Sequence, residues 1–471
     1  MDSPQATKPM HRTTVAIIGG GCSGTLVALQ LLKQSGERPL DIILVERSGS
    51  IGTGLAYSAP SDLCKLNVPA KAMGAFPDDP EGFYRWLSRN HPHVMGDEFV
   101  SRRLFGEYLQ ELFTNYSQGA GQTTVTTIAD SVTDLAWDES HSQFRLELSK
   151  TAPLYADFGV LALGNIPRAS LDGVLIREAF SVPYEPHSYQ NIEQLNTLLV
   201  VGSGLTAIDV ILEAEAHGFR GCYTMVSRHG RIPCAHENVE RRVSDTLDPR
   251  LHSGDSLSTL SLRHLLTLVR SEATRVGSSQ PVIAALRPHI QKIWASLSCT
   301  DKRRFLRHIR PLWEVHRHRI PKAHWDIIEA LRSSNRLRVV SGRIKSTSTS
   351  SAQVEVTISS QGGIEREIFD RAFICAGFEE DLTKVEMPLI QNLLASGIIA
   401  SGELRLGVAP GATSLAENAA SRLHIIGSLQ REALWEITAV RELRICAEQI
   451  VAHIITGANT LPQRTPWGAS T

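Results

Sequence analysis

Leu198–Val210 reads LLVVGSGLTAIDV, and Val15–Leu29 reads VAIIGGGCSGTLVAL. Each opens on a β-branched, apolar run suited to a buried parallel strand and continues in apolar spacing suited to a helix. Between strand and helix stand Gly19-x-Gly21-x-x-Gly24 in one and Gly202-x-Gly204-x-x-Ala207 in the other. In such a turn the first glycine permits the tight reversal and the second lets backbone approach a pyrophosphate. The third, small position keeps helix and strand close while unpaired helix N–H groups face the anion. Two such corners in one chain predict an α/β protein with two Rossmann-like dinucleotide-binding domains.

The strand after each turn sharpens the expectation. DIILVE places Glu46 about 20 residues beyond Gly24, where an acid bonds a ribose hydroxyl. CYTMVSRHG ends at a similar distance beyond the second turn, yet carries Ser227 and Arg228 where an acid would stand. A hydroxyl and a cation there suit a 2′-phosphate, so one cradle is read as holding FAD and the other NADPH.

The chain has 471 residues, 42% of them apolar, and a formal charge of −1. It can bury large cores, and its balance gives no reason to expect nucleic acid or an anionic membrane as partner. Seven scattered cysteines without a C-x-x-C pair argue against a disulfide framework or zinc ribbon and for a reducing cytoplasm. The first residues lack an apolar leader core, so no signal peptide is expected.

Residues 12–180 and 365–460 are expected to form a discontinuous FAD domain, and 181–364 the NADPH domain with a helical insert at about 235–335. FGVLALG, ending at Gly164, would close the first pass of the FAD domain. RAFICAGFEEDL, with Gly377 in its turn, would bring the chain back towards FAD. LHIIGS, with Gly427, leads into LQREALWEITAVRELRICAEQIVAHII, read as one long helix whose start faces the flavin ring, with Trp435 and Thr438 beside it. Within the insert, RRFLRHIRPLWEVHRHRIPKAHW is basic. His316 and His318, two apart, do not share a face, so the stretch reads as a solvated helical segment and not as a metal site. Arg310, Arg317 and Arg319 would suit a carboxylate-bearing substrate.

The stretches IIGGGCSGT, GTGLAYS, LNVPAKAM, FPDDPEGFYRWL, RRLFGEYL, VVGSGLTAIDV, RFLRHIRPLWEVHRHRIP and ALWEITAVRELR resemble the FAD-NAD(P)-binding two-Rossmann flavoproteins related to class B flavin monooxygenases and N-hydroxylases. The resemblance implies FAD at Gly19, Gly21, Gly24 and Glu46, and NADPH at Gly202, Gly204, Ala207 and Arg228. It also implies a flavin-proximal place for Asn67 in LNVPA. YEPHSYQ supplies His187 and Tyr189 without the glycine that opens the class B signature, and Gly427-Ser428 replaces the usual Gly-Asp.

Three functions follow. The first is an NADPH-consuming monooxygenase that passes oxygen from O2, through a flavin peroxide, to a small nucleophile such as an amine or amino acid. The second is a reductase without oxygen insertion; Cys64 alone after Glu46 argues against its disulfide version. The third is a nucleotide-binding protein without turnover. No metal is expected, and the substrate and oligomeric state are not read from the residues.

Overall fold

The computed structural model describes residues 12–36, 39–59, 61–171, 174–175, 179–237, 247–350 and 353–459. The first glycine-rich stretch folds as expected: β1 (Thr13–Ile18), a turn, α1 (Cys22–Gln34) and β2 (Leu40–Val45). Short α2 (Gly54–Tyr57), α3 (Gly82–Asn90) and α4 (Arg102–Gln118) follow, then β3 (Thr124–Ile128). An antiparallel three-stranded sheet comes next, β4 (Val132–Asp138), β5 (Gln143–Leu148) and β6 (Leu154–Ala156), before β7 (Phe158–Leu161).

The first main sheet has the order β16-β7-β1-β2-β3, β16 being Leu423–Ile425, and every pairing in it is parallel. Alternation along β1 feeds both faces. Val15 and Ile17 pack with Leu26 and Leu29 of α1, and Ala16 and Ile18 with Phe144 and Leu146 of β5. Both faces are thereby covered, as a parallel sheet requires.

After a two-stranded ribbon, β8 (Ser170–Leu171) and β9 (Val174–Leu175), the second unit begins with β10 (Thr197–Val201), α5 (Leu205–Ala216) and β11 (Cys222–Ser227). Its sheet has the order β14-β13-β12-β11-β10-β15, with β12 (Leu337–Ser350), β13 (Gln353–Ser360), β14 (Gly363–Phe369) and β15 (Arg371–Ile374). β12, β11, β10 and β15 run parallel; β13 and β14 add an antiparallel edge.

The insert is helical, from α6 (Gly254–Ser258) through α7 (Leu262–Val276), α8 (Gln280–Leu286), α9 (Ile290–Ser296), α10 (Cys299–Arg304), a π-helical turn (Phe305–Ile309) and α11 (Arg310–Arg317) to α12 (Lys322–Ser333). α13 (Pro388–Ala395), α14 (Glu417–Ala420) and α15 (Val440–Ala458) are the last helices of the described residues.

Two expectations are corrected. The boundary at 364–365 falls inside β14, and β15, expected to return the chain to the first domain, pairs with β10. The run Phe373–Ile374 fits any buried parallel strand, so its composition did not reveal which sheet it joins. The long helix expected from 429 starts only at Val440. Tertiary partners override the helical pattern before it. The Glu432 carboxylate accepts from the Leu404 and Leu406 amides at 2.9 and 3.2 Å, and Glu436 accepts from Trp313 Nε1 at 2.7 Å and Arg317 Nε at 3.1 Å.

Candidate functional site: two glycine corners

The corner at Gly19 is held by sterics that only glycine satisfies. Gly19 adopts φ +104°, and a Cβ there would lie 2.3 Å from the Ala162 carbonyl oxygen at the end of β7. At Gly24 a Cβ would lie 1.9 Å from the Gly19 oxygen, so α1 sits directly against the turn. Gly21 is the N-cap of α1, with neither a side-chain cap nor an acid in the first turn. No side chain of the helix's own first turn therefore counters its positive end.

Glu46 closes the other side. Its Oε2 accepts from the Gly20 amide at 2.8 Å, and its Oε1 from Ser48 N at 3.0 Å and Ser48 Oγ at 2.9 Å. An ionised carboxylate offers about four acceptor positions, so one remains for a hydroxyl. Gly427 (φ +92°) lies over the same corner, a Cβ there reaching 3.2 Å from Ser23 Oγ, and Ser428 Oγ donates to the Gly164 carbonyl. The ends of β1, β7 and β16 thus converge above one helix start, where open α/β sheets bind ligands.

The second corner repeats the plan with one difference. Gly202 adopts φ +118° and a Cβ would lie 2.1 Å from the Cys375 carbonyl oxygen, whereas a Cβ on Gly204 would meet nothing within 4 Å. Gly204 is the N-cap of α5, again with no side-chain cap and no acid in the first turn. Ala207 is fully buried, so the third position here accepts a methyl group.

At the end of β11, the Ser227 hydroxyl pairs with Ser203 Oγ at 2.8 Å, and Arg228 is exposed with its carbonyl accepting from Ser341 Oγ at 3.2 Å. Arg228 has company that sequence reading missed. Burial, then Arg228, Arg231 and Arg343, push the His229 imidazole below its ordinary value, which sets three cations around this strand end. Arg343 comes from β12, so nothing local in the sequence links it to Arg228.

Gly377 (φ +80°) follows β15 and Cys375, whose carbonyl faces Gly202, and the next residues reach the first unit: Phe378 bridges to Pro167 and the Glu379 amide donates to the Ile166 carbonyl at 2.8 Å. Asn67 is half-buried, and its carbonyl accepts from His236 Nε2 at 3.3 Å. His236 was not foreseen; burial first, then Arg319, lowers its pKa to about 4, so it is neutral around pH 7.

His187, Trp435 and Thr438, the other residues expected beside the flavin, have these surroundings. His187 is a surface residue, its side chain 68% exposed and paired with Glu185 at 3.0 Å. Trp435 is 2% exposed and stacks on Trp294 at 5.1 Å, within the seam between the insert and the segment before α15. Thr438 is exposed. Of the three arginines, Arg310 is clamped by Glu380 at 2.9 and 3.0 Å and Arg317 by Glu436 at 3.1 Å, while Arg319 contacts the Gln280 side-chain oxygen. No group of three potential metal ligands occurs among the described residues. No described helix is long and apolar enough to cross a membrane.

A buried polar knot joins the two units near the corners. Arg102 of α4 meets Asp209 of α5 at 3.2 Å, and Tyr184 Oη donates to the same carboxylate at 3.2 Å. Burial raises the Asp209 carboxyl against the opposing pull of Arg102. One turn on, Glu213 accepts from Ser61 and from Cys64 Sγ, the latter at 3.4 Å.

Residues 16–166 match the FAD-NAD(P)-binding family, the segment that builds the first glycine turn and, β16 apart, most of its sheet. No curated protein sequence matches the chain. Among solved structures, an ornithine N-hydroxylase from Kutzneria sp. 744 superposes with a TM-score of 0.62 at 14% identity, covering 95% of this chain and 99% of that one. L-lysine 6-monooxygenase from Pseudomonas syringae gives 0.59 at 13%, with the same coverages. Bacillithiol disulfide reductase from Staphylococcus aureus gives 0.51 at 15%, again covering 95% and 99%. The fold is therefore that of flavoproteins with two dinucleotide-binding domains, a scaffold on which both oxygenases and reductases are built.

Proposed function

We propose that the chain is an FAD-dependent oxidoreductase that oxidises NADPH and transfers oxygen to a small nucleophilic substrate, an amine or amino acid. The observation that carries this reading is the pair of corners. Each has an open, uncapped helix start at the carboxyl ends of a parallel sheet, one with a carboxylate at the next strand end and the other with a cluster of cations. A diphosphate would lie against the Gly21 and Gly204 backbone, a ribose hydroxyl against Glu46, and a 2′-phosphate against Arg228, Arg231 and Arg343. Bound FAD supplies hydride acceptance and, once reduced, reaction with O2.

The chain's own part is to grip, orient and exclude. Neutral His236 bonded to the Asn67 carbonyl ties the LNVPA segment to the second unit, fixing one against the other. Oxygen transfer is preferred to disulfide reduction because the cysteines are free, and Cys64, the thiol that follows Glu46, is buried and donates to Glu213 of the second unit at 3.4 Å, while burial raises both it and Cys22. The hydroxylases on this fold, with ornithine and lysine in their names, support an amine substrate.

The test is product balance. The FAD-loaded protein is supplied with NADPH, O2 and a panel of primary amines and amino acids, and NADPH consumed, hydrogen peroxide and hydroxylated product are measured together. One substrate should raise hydroxylated product to match NADPH. NADPH consumption that yields only peroxide, or reduces a separate acceptor, would replace the oxygenase by the reductase.

A further inference from the structure

The helical insert contains a cavity of about 240 Å³ whose wall is almost wholly apolar, formed by α7, α8, α9, the π-helical turn, α11 and Trp435. An apolar cavity of about 150 Å³ is enough to stay dry and take up benzene, so this one holds a substituted ring or a medium-length chain. The π-helical turn helps shape it. Pro311 has no N–H for the Arg307 carbonyl and its ring crowds that carbonyl, so the preceding turn widens and the Arg310 amide bonds to Phe305 instead. Phe305 and Ile309 of that turn face the cavity.

The polar groups of the wall have one character. Arg270 is exposed at the rim, and among the described residues no ion pair to it occurs and no carboxylate lines the cavity. Trp435, 2% exposed, has its Nε1 buried without a hydrogen-bond partner. His316 Nδ1 and the Ser279 hydroxyl bond each other at 3.1 Å, and burial, then Arg231, hold the imidazole below its ordinary value. Among the described residues of the wall the one cation is thus a guanidinium and the buried unpartnered side-chain atom an indole N–H, both donors. A ligand bearing acceptor oxygens and no positive charge complements them.

We propose that this cavity is a binding site for a small apolar carboxylic acid, its tail among Val269, Ile283 and Trp294 and its carboxylate towards Arg270. None of the cavity's lining residues belongs to the glycine corners, and the proposal does not depend on the reaction proposed for them.

The experiment uses the full chain loaded with FAD, titrated with hexanoate, octanoate and decanoate and, for comparison, octylamine. The readout is tryptophan emission, because Trp294, Trp313 and Trp435 all line the cavity. Saturable quenching should appear with the carboxylates, affinity rising about fourfold per methylene until the cavity is full. Octylamine should bind about fivefold or more weakly than octanoate, and Arg270→Gln should lower octanoate affinity about two- to fivefold. Ala273→Trp, which fills the cavity, should abolish binding while melting temperature and flavin content are retained. Should that variant fail to fold, Leu266→Trp at the half-buried rim serves the same purpose. No saturable quenching by octanoate, equal binding of octylamine, indifference to Arg270→Gln, or undiminished binding to a folded filled variant would each overturn the proposal. NADPH-driven bleaching of the flavin in the same samples reports on the corners separately.

Discussion

Replacing Gly204 by Ala adds one methyl group at a place where the protein itself has no use for the space. The backbone there is at φ −83° and ψ −166°, which alanine adopts readily, and the new Cβ would meet nothing within 4 Å. The fold should lose no more than the difference between glycine and alanine at an N-cap, about 0.5–1 kcal/mol. A bound nucleotide should feel the change far more, because the methyl group stands where a diphosphate must approach the α5 amides. Losing one hydrogen bond to a charged oxygen removes about 2–3 kcal/mol, or about 30- to 150-fold in KM for NADPH. Gly202→Ala is the matched control. Its φ of +118° costs alanine about 1–3 kcal/mol, and its Cβ would also lie 2.1 Å from the Cys375 carbonyl oxygen, so this variant should melt early. Steady-state NADPH oxidation with thermal melts followed by circular dichroism separates the two. An unchanged KM in Gly204→Ala, or a melt as depressed as that of Gly202→Ala, would refute the assignment of this corner to a nucleotide.

Other expectations are shorter to state. Arg228→Ala should raise KM for NADPH far more than for NADH, since only the former carries the 2′-phosphate; equal effects on both would remove that assignment. Arg102→Met strands the buried Asp209 carboxylate and should cost about 3–5 kcal/mol in denaturant unfolding near neutral pH, with a smaller loss in acid where Asp209 is protonated. Burial lowers His236, His324 and His424 to about 4 each, below their unfolded values. The unfolded chain therefore binds more protons between the two values, so stability should fall as pH drops from about 6.5 to about 4 and stay level above that window. A melting temperature that is flat across the window would contradict those buried imidazoles.

The two corners were legible in the sequence because their requirements are local. Gly19, Gly24 and Gly202 are demanded by carbonyls that the strand-turn-helix geometry brings within overlap distance, and Glu46 follows at the reach of one helix and one strand. What escaped reading was set by distant partners. β15 looks like any apolar strand, and only pairing with β10 assigns it to the second sheet. Trp435 sits in an amphipathic run that would pass for helix. Its segment is instead pinned by Glu432 to the Leu404 and Leu406 amides and by Glu436 to Trp313 and Arg317. Likewise Arg343 joins Arg228 from more than a hundred residues away, because β12 lies beside β11. Arg310 and Arg317, conspicuous as cations, are neutralised by Glu380 and Glu436, carboxylates that no spacing rule connects to them.

The central claim is that one corner holds FAD, the other NADPH, and that hydride passes between them. Its most direct test is an anaerobic titration of the flavin-reconstituted protein with NADPH, following the visible flavin absorbance. The account predicts a yellow protein that bleaches to completion at one NADPH per flavin. A protein that takes up no flavin, or a bound flavin that NADPH leaves oxidised, would contradict it.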